Sequence, residues 1–197
     1  MKLFETSHEY PHDWAAVTLA FWRKYPNPCT GHVKHVDVLE RKVDPETGIL
    51  RTERLICCVQ NVPTLIRKLF GASEETYAYE VSEVDPKGRT LEARTVNLTF
   101  SNLIRVEEKL SYTLADKAQT VFRQEAKITA FGTLSRFGNY IEDFSVNRFR
   151  ENAARGRRGF EWALDCLLAE SQEAWHRAEG FVKEDLAIMA SSPNASS

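Results

Sequence analysis

Arg148, Asn152 and Arg155 lie four and three residues apart in the stretch from Ser135 to about Arg177, which reads as one long helix. At about 100° per residue that spacing puts the three side chains on one line. The line is not the centre of the charged face. It continues the stripe of Phe137, Ile141 and Phe144 and leads on to Gly159, Trp162 and Cys166. Two readings of such a stripe stay open. In one, the arginine stems lie along apolar surface and their heads reach water. In the other, a polar spot is buried in an apolar groove, and a buried guanidinium needs an anion. If no protein carboxylate supplies it, a ligand phosphate or carboxylate does, because the planar fork of donors fits both.

Arg54 raises the same question on a strand. Its same-face neighbours are Leu50, Thr52, Ile56 and Cys58, while Arg51 and Glu53 share the other face. Either a second cation points inward, or the register breaks there. His32 follows the Pro26–Gly31 turn and opens a strand; the other four histidines, His8, His12, His35 and His176, read as structural or exposed. His32 and His35 fall on opposite faces of a strand, which is poor for shared metal ligation.

Catalytic signatures are missing. There is no G-x-x-x-x-G-K-S/T loop, no G-x-G-x-x-G, no G-x-S-x-G and no H-E-x-x-H. Glu142 and Asp143 are adjacent on the long helix and splay apart, so they make no acid/base pair. The chain is expected not to be an enzyme and to need no cofactor.

The elements that must position these residues follow from periodicity. His12 to Lys24 is helical, with Trp14, Val17 and Phe21 as its core face, and Pro26 and Pro28 stop it. Strands are expected over Lys2–Tyr10, His32–Val43, Ile49–Gln60, Thr76–Val84, Arg89–Phe100, Leu103–Leu114 and Thr120–Phe131. The last alternates cleanly: Phe122, Gln124, Ala126, Ile128 and Ala130 on one side, Arg123, Glu125, Lys127 and Thr129 on the other. Short links between consecutive strands mean an antiparallel meander, and the long helix is the natural cover for its apolar face. The class is α+β. Val62 to Gly71 interrupts the strands: it is apolar at Val62, Leu65, Ile66, Leu69 and Phe70 and basic at Arg67 and Lys68. It reads either as a plug or as a basic lid that touches a membrane surface.

Composition fits one domain with a substantial core: 197 residues, 43% hydrophobic and 27% charged. Lys+Arg 26 against Asp+Glu 28 gives no global basic field and no call for nucleic acid. Cys29, Cys57, Cys58 and Cys166 form no C-x-x-C pair and read as small core residues. No run reaches the length of a membrane span, so composition alone places the chain as soluble and intracellular. Two classes then remain, a carrier of an anionic amphiphile and an interaction module using the basic Arg148–Arg158 region.

An ordered string of short motifs runs through the chain. It comprises MKLF, Lys24-Tyr25-Pro26-Asn27-Pro28, His32-Val33, Val36-Asp37-Val38-Leu39, Thr52-Glu53-Arg54-Leu55, Val62-Pro63, Glu80-Val81-Ser82, Asn97-Leu98-Thr99, Gln124-Glu125-Ala126 and Arg148-Phe149-x-x-Asn152-Ala153-x-x-Gly156. It resembles the PRELI/Slowmo family of intramitochondrial phospholipid-transfer proteins over roughly residues 1–170. The resemblance implies a START-like fold, a curved antiparallel sheet of about seven strands gripping a long C-terminal helix around one lipid. It implies a domain over residues 1–175, with 176–197 the helix end and a disordered tail. It implies headgroup binding by Lys24, His32, Arg54, Arg148, Asn152 and Arg155, and a lid formed by Val62, Pro63, Leu65, Ile66, Arg67, Lys68, Leu69 and Phe70. It moves the expected location to the mitochondrial intermembrane space, with transient contact to membrane surfaces and a small helical partner carrying twin C-x9-C motifs. Cys58 stands where the phosphatidic-acid branch can carry lysine. With MKLF, Thr52–Ile56 and Gln124–Gly132, that favours the phosphatidylserine-carrying branch, with phosphatidic acid as the alternative cargo.

Overall fold

The computed structural model describes residues 1–59, 75–116, 119–131 and 138–191. Strand β1 (Lys2–Tyr10) leads into helix α1 (Trp14–Arg23) and a 3-10 turn (Pro28–Thr30). Strands β2 (Val33–Val43), β3 (Leu50–Val59), β4 (Glu75–Asp85), β5 (Thr90–Asn97), β6 (Ile104–Asp116) and β7 (Gln119–Ala130) follow, then helix α2 (Gly138–Ser191). The expected lid at 62–70, the start of the long helical stretch at Ser135 with Phe137, and the tail beyond 191 lie outside the described residues.

The sheet is antiparallel, in the order β1-β7-β6-β5-β4-β3-β2. Strands β2 to β7 form the expected meander. β1 joins the far edge instead, pairing with β7 from Lys2↔Ile128 to Tyr10↔Thr120. Helix α1 and the 3-10 turn carry the chain from one edge of the curved sheet to the other. The Asp13 side chain caps α1 by accepting from the Ala16 amide at 3.0 Å. Trp14, Val17, Ala20 and Phe21, at helical spacing, are buried. Its C-cap is Lys24, so the end of this helix is what places that lysine.

The core clusters where α1, α2 and β6 meet. Tyr112 stacks on Phe160 at 5.5 Å between ring centroids, Tyr10 lies 4.9 Å from the same ring, and Phe21 meets Tyr112 edge-on at 5.9 Å. Phe160 and Leu164 are buried, as the apolar periodicity of the long helix requires. Opposite the 3-10 turn α2 carries Gly159. The side-chain amide of Asn27 donates to its carbonyl at 2.5 Å, and a Cβ at this position would stand 3.0 Å from Asn27 Oδ1. Close approach of the Asn27 and Thr30 side chains to the helix backbone is the reason for glycine here.

Helix α2 runs for 54 residues, about 80 Å, and continues well past Arg177. From Ala169 to Lys183 it is exposed on all sides, including Trp175, Phe181 and Val182. Among the described residues, this segment is tied to the rest of the fold at its start, where Arg23 of α1 donates to Glu170 at 2.6 Å. The segment's Ala and Glu residues favour helix on their own, and Trp175 donates to Glu179 four residues on at 2.8 Å.

Candidate functional site

Strand alternation and register build the site from the sheet side. On the inward face of β3 stand Thr52, Arg54, Ile56 and Cys58. Register carries Arg54 across to Glu80 on β4, Glu80 to Thr95 on β5, and Thr95 to Glu108 on β6. These four form one polar row across the inner surface of the sheet. Gln124, on β7 opposite Leu110, lies diagonal to Glu108 and donates to its Oε1 at 2.5 Å.

Arg54 points inward, and its charge is already met. Its Nε donates to Glu80 Oε1 at 2.8 Å and its Nη2 to the same oxygen. Both residues are buried, Arg54 at 4% exposed and Glu80 at 2%. The guanidinium also lies 4.8 Å from the Phe21 ring and 5.1 Å from that of Trp22. Of the six cations and amides singled out by sequence, Arg54 is thus the one locked into an internal ion pair.

Between this row and α2 lies a cavity of about 360 Å³, the size of a small-ligand site. Ile56, Val106, Leu110 and Phe122 supply apolar wall from the sheet, and Phe144, Phe149 and Phe160 supply it from the helix. Lys24, His32, Arg148 and Asn152 all open onto it. So four residues drawn from α1, the start of β2 and α2 are brought to one space.

They occupy two levels. Lys24, half-buried, is at the floor, with its ammonium 4.1 Å from the Phe21 ring centroid and 5.2 Å from that of Tyr25. Burial lowers its pKa from 10.5 to about 8; Glu80 and Glu108 oppose that shift and Arg54 adds to it. Among the described residues no carboxylate comes within ion-pairing distance of it. Glu108 shares the floor. Burial raises its pKa, Gln124 and Lys24 work against the rise, and Glu80 adds to it. His32 and the α2 cations are nearer the rim. Burial lowers the His32 pKa, and Arg155 and then Arg148 lower it further, so the ring is neutral at pH 7. Arg148 and Arg155 share one carboxylate, Glu151, at 3.5 and 3.7 Å. Arg155 does not line the cavity; its side chain is 40% exposed, and it acts on the site through His32 and Glu151.

Of the three residues on the helical-wheel line, Arg148 and Asn152 line the cavity and Arg155 does not. Ala153, Gly156, Arg157 and Phe160 face the cavity beside them. Arg157 is an addition to the sequence reading: its Nε is buried without a hydrogen-bond partner among the described residues. Glu80, Glu108 and Gln124 are also additions. The signal for them was in the strands, because each interrupts an inward-facing apolar or small-residue alternation as Arg54 does.

Residues 15–171 match a model described as the PRELI-like family. The chain belongs to the PRELI-like family. Its relatives within reach of direct alignment include a UPS-like protein of Schizosaccharomyces pombe, 45% identical over 168 residues, covering 85% of this chain and 91% of the relative. "Protein UPS2, mitochondrial" of Saccharomyces cerevisiae is 42% identical over 180 residues, covering 90% of this chain and 76% of the relative. The slowmo homolog of Dictyostelium discoideum is 35% identical over 179 residues, covering 88% and 76%. Among solved structures, the Zhui aromatase/cyclase from a Streptomyces species superposes with a TM-score of 0.50 at 11% identity, over 83% of this chain and 90% of that one. The di-domain aromatase/cyclase BexL gives 0.53 at 13% identity, over 82% and 47%. These likenesses are of fold alone: the PRELI-like chain shares with them the helix-grip arrangement of curved sheet and long helix. Every site residue discussed above lies within the matched segment.

Proposed function

We propose that this PRELI-like protein carries one anionic glycerophospholipid at a time between the outer and inner mitochondrial membranes, with phosphatidylserine as the preferred cargo and phosphatidic acid as the second. The observation that carries the reading is an aromatic-walled cavity that has at its floor a half-buried ammonium, Lys24, with no carboxylate paired to it among the described residues, and guanidinium groups toward its rim. An apolar wall with cations at one end matches a molecule that is greasy along most of its length and anionic at its head. The compartment follows the Saccharomyces relative, which is mitochondrial by name.

The physical task is large. A two-chain phospholipid has roughly thirty methylenes, and at about 0.8 kcal/mol each its free desorption into water costs on the order of 20 kcal/mol. A carrier lowers that cost by replacing bilayer with protein along the tails. The headgroup enters first and descends to the Lys24 level. The phosphate sits near Arg148 and His32, and Asn152 donates to a phosphate or ester oxygen. The acyl chains lie along the apolar walls, and α2 moves away from the β3–β5 side of the sheet to admit them, since the helix is anchored on α1, β1, β7 and the 3-10 turn. No bond is made or broken. In the intermembrane space the carrier works with a small helical partner of the twin C-x9-C type.

The test is transfer of labelled lipid between donor and acceptor liposomes with that partner present. Phosphatidylserine should move fastest, phosphatidic acid more slowly, and phosphatidylcholine at background. Equal background rates for all three would leave the basic Arg148–Arg158 region as an interaction surface and end the carrier reading.

A further inference from the structure

Lys24 and Glu108 face the same cavity floor with opposite charges, yet they do not touch. Each acts on the other's pKa, but no ion pair joins them among the described residues. The ammonium is held over the rings of Phe21 and Tyr25 instead. On the other side, Glu108 Oε1 accepts from the Gln124 amide at 2.5 Å. That leaves Glu108 Oε2 and the Gln124 carbonyl oxygen as further acceptors on two residues that line the cavity, since a carboxylate offers about four acceptor positions. The neighbouring Arg54–Glu80 pair is closed on itself: Glu80 favours the charged Lys24 and Arg54 works against it, while Glu80 disfavours the charged Glu108. The remaining charges around the space, Arg148 and Arg157 on α2, are cations. They are no partners for Lys24.

We propose that Glu108, held by Gln124, is the ammonium acceptor of a clamp for α-amino-acid headgroups, with Lys24 taking the carboxylate of the same headgroup. The proposal rests on the phospholipid-carrier reading and narrows it. A serine headgroup carries an ammonium and a carboxylate on one carbon, so it bridges a cation and an anion that stand apart. Its phosphate, on the other arm, then lies toward Arg148, His32 and Asn152. Phosphatidic acid brings only negative charge to this floor; it satisfies Lys24 and is repelled by Glu108. Phosphatidylethanolamine satisfies Glu108 and leaves Lys24 unmet. Selection therefore comes from two opposed charges, one of which rejects each wrong headgroup. Counting cations alone misses this, because the discriminating residue is an acid.

The experiment is liposome transfer of phosphatidylserine and phosphatidic acid by wild-type protein and the Glu108→Gln variant, with thermal melts of both. Glu108→Gln keeps shape and the link to Gln124. It should slow phosphatidylserine transfer by about ten- to a hundredfold, the loss expected for one charge-assisted bond, and leave phosphatidic acid transfer equal or faster. A ligand-side arm needs no variant: wild-type protein should transfer N-acetyl-phosphatidylserine, which has no ammonium, at a rate reduced to the same degree. Equal transfer of phosphatidylserine and its N-acetyl form would overturn the clamp, and so would a Glu108→Gln variant that loses both lipids in proportion. Wild-type protein that moves neither lipid would instead remove the carrier reading beneath it.

Discussion

Replacing Lys24 with methionine should make the protein more stable and less able to carry lipid. The methionine keeps the length and apolar character of the lysine stem and removes an ammonium that no carboxylate contacts. The lysine pKa falls from 10.5 to about 8 on folding, so holding the charge in the folded state costs about 3 kcal/mol at neutral pH. The sign of the pH dependence follows from proton counts. Below about pH 8 both folded and unfolded chains carry the proton, and the whole cost is present. Between 8 and 10.5 the unfolded chain binds more protons than the folded one, so stability rises with pH and the cost fades. Urea denaturation followed by far-UV circular dichroism at pH 7 and pH 10 measures this directly. The Lys24→Met variant should exceed wild type by up to about 3 kcal/mol at pH 7, or roughly 5–10 °C in melting temperature, and the gap should shrink at pH 10. A variant less stable than wild type at pH 7, or a gap that ignores pH, would refute the picture of a desolvated ammonium without an ion-pair partner. Stability surrendered for a charge that waits on cargo is what a binding site costs its fold.

The other consequences concern the ion pairs and the seat of the helix. Glu80→Ala leaves the Arg54 guanidinium buried and unpaired and should cost about 3–5 kcal/mol in urea denaturation, whereas an Arg54→Met/Glu80→Leu double variant should recover most of that; a mild single-variant effect would mean that Arg54 has another anion. Arg155→Glu reverses the charge beside His32 and Glu151 and should abolish liposome transfer with an unchanged circular dichroism spectrum, so normal transfer would remove Arg155 from the site. Gly159→Leu puts a side chain where even a Cβ stands 3.0 Å from Asn27; a drop of at least about 1–3 kcal/mol is expected, and an unperturbed melt would show that the 3-10 turn yields freely.

Much of this arrangement is legible in the order of residues. The alternation in Thr120–Phe131 puts Gln124 with Ala126 and Ile128 on the inner face, and the structure buries all three. The same alternation turns Arg54 inward. Its partner could not be read, because Glu80 is 26 residues away and only the register of β3 against β4 makes them neighbours. Glu108 escaped for the same reason: it is one polar residue among Val106, Leu110 and Tyr112, and its meaning comes from Thr95, Glu80 and Arg54 lying in the same row. Sequence could place β1 as a strand but not beside β7, since a pairing across more than a hundred residues leaves no local trace. The end of α2 was misjudged at Arg177 because periodicity fades there. A helix without a packing partner has no stripe to display and persists on propensity alone.

In the function proposed above, the space between sheet and helix is made for an anionic phospholipid. Native mass spectrometry of the protein after incubation with liposomes containing phosphatidylserine, phosphatidic acid and phosphatidylcholine in equal parts weighs the occupant itself. The expected spectrum shows one phospholipid per chain, mostly phosphatidylserine, and Arg148→Glu protein without it. A chain that stays lipid-free, or that takes up phosphatidylcholine as readily as the anionic lipids, would contradict the claim.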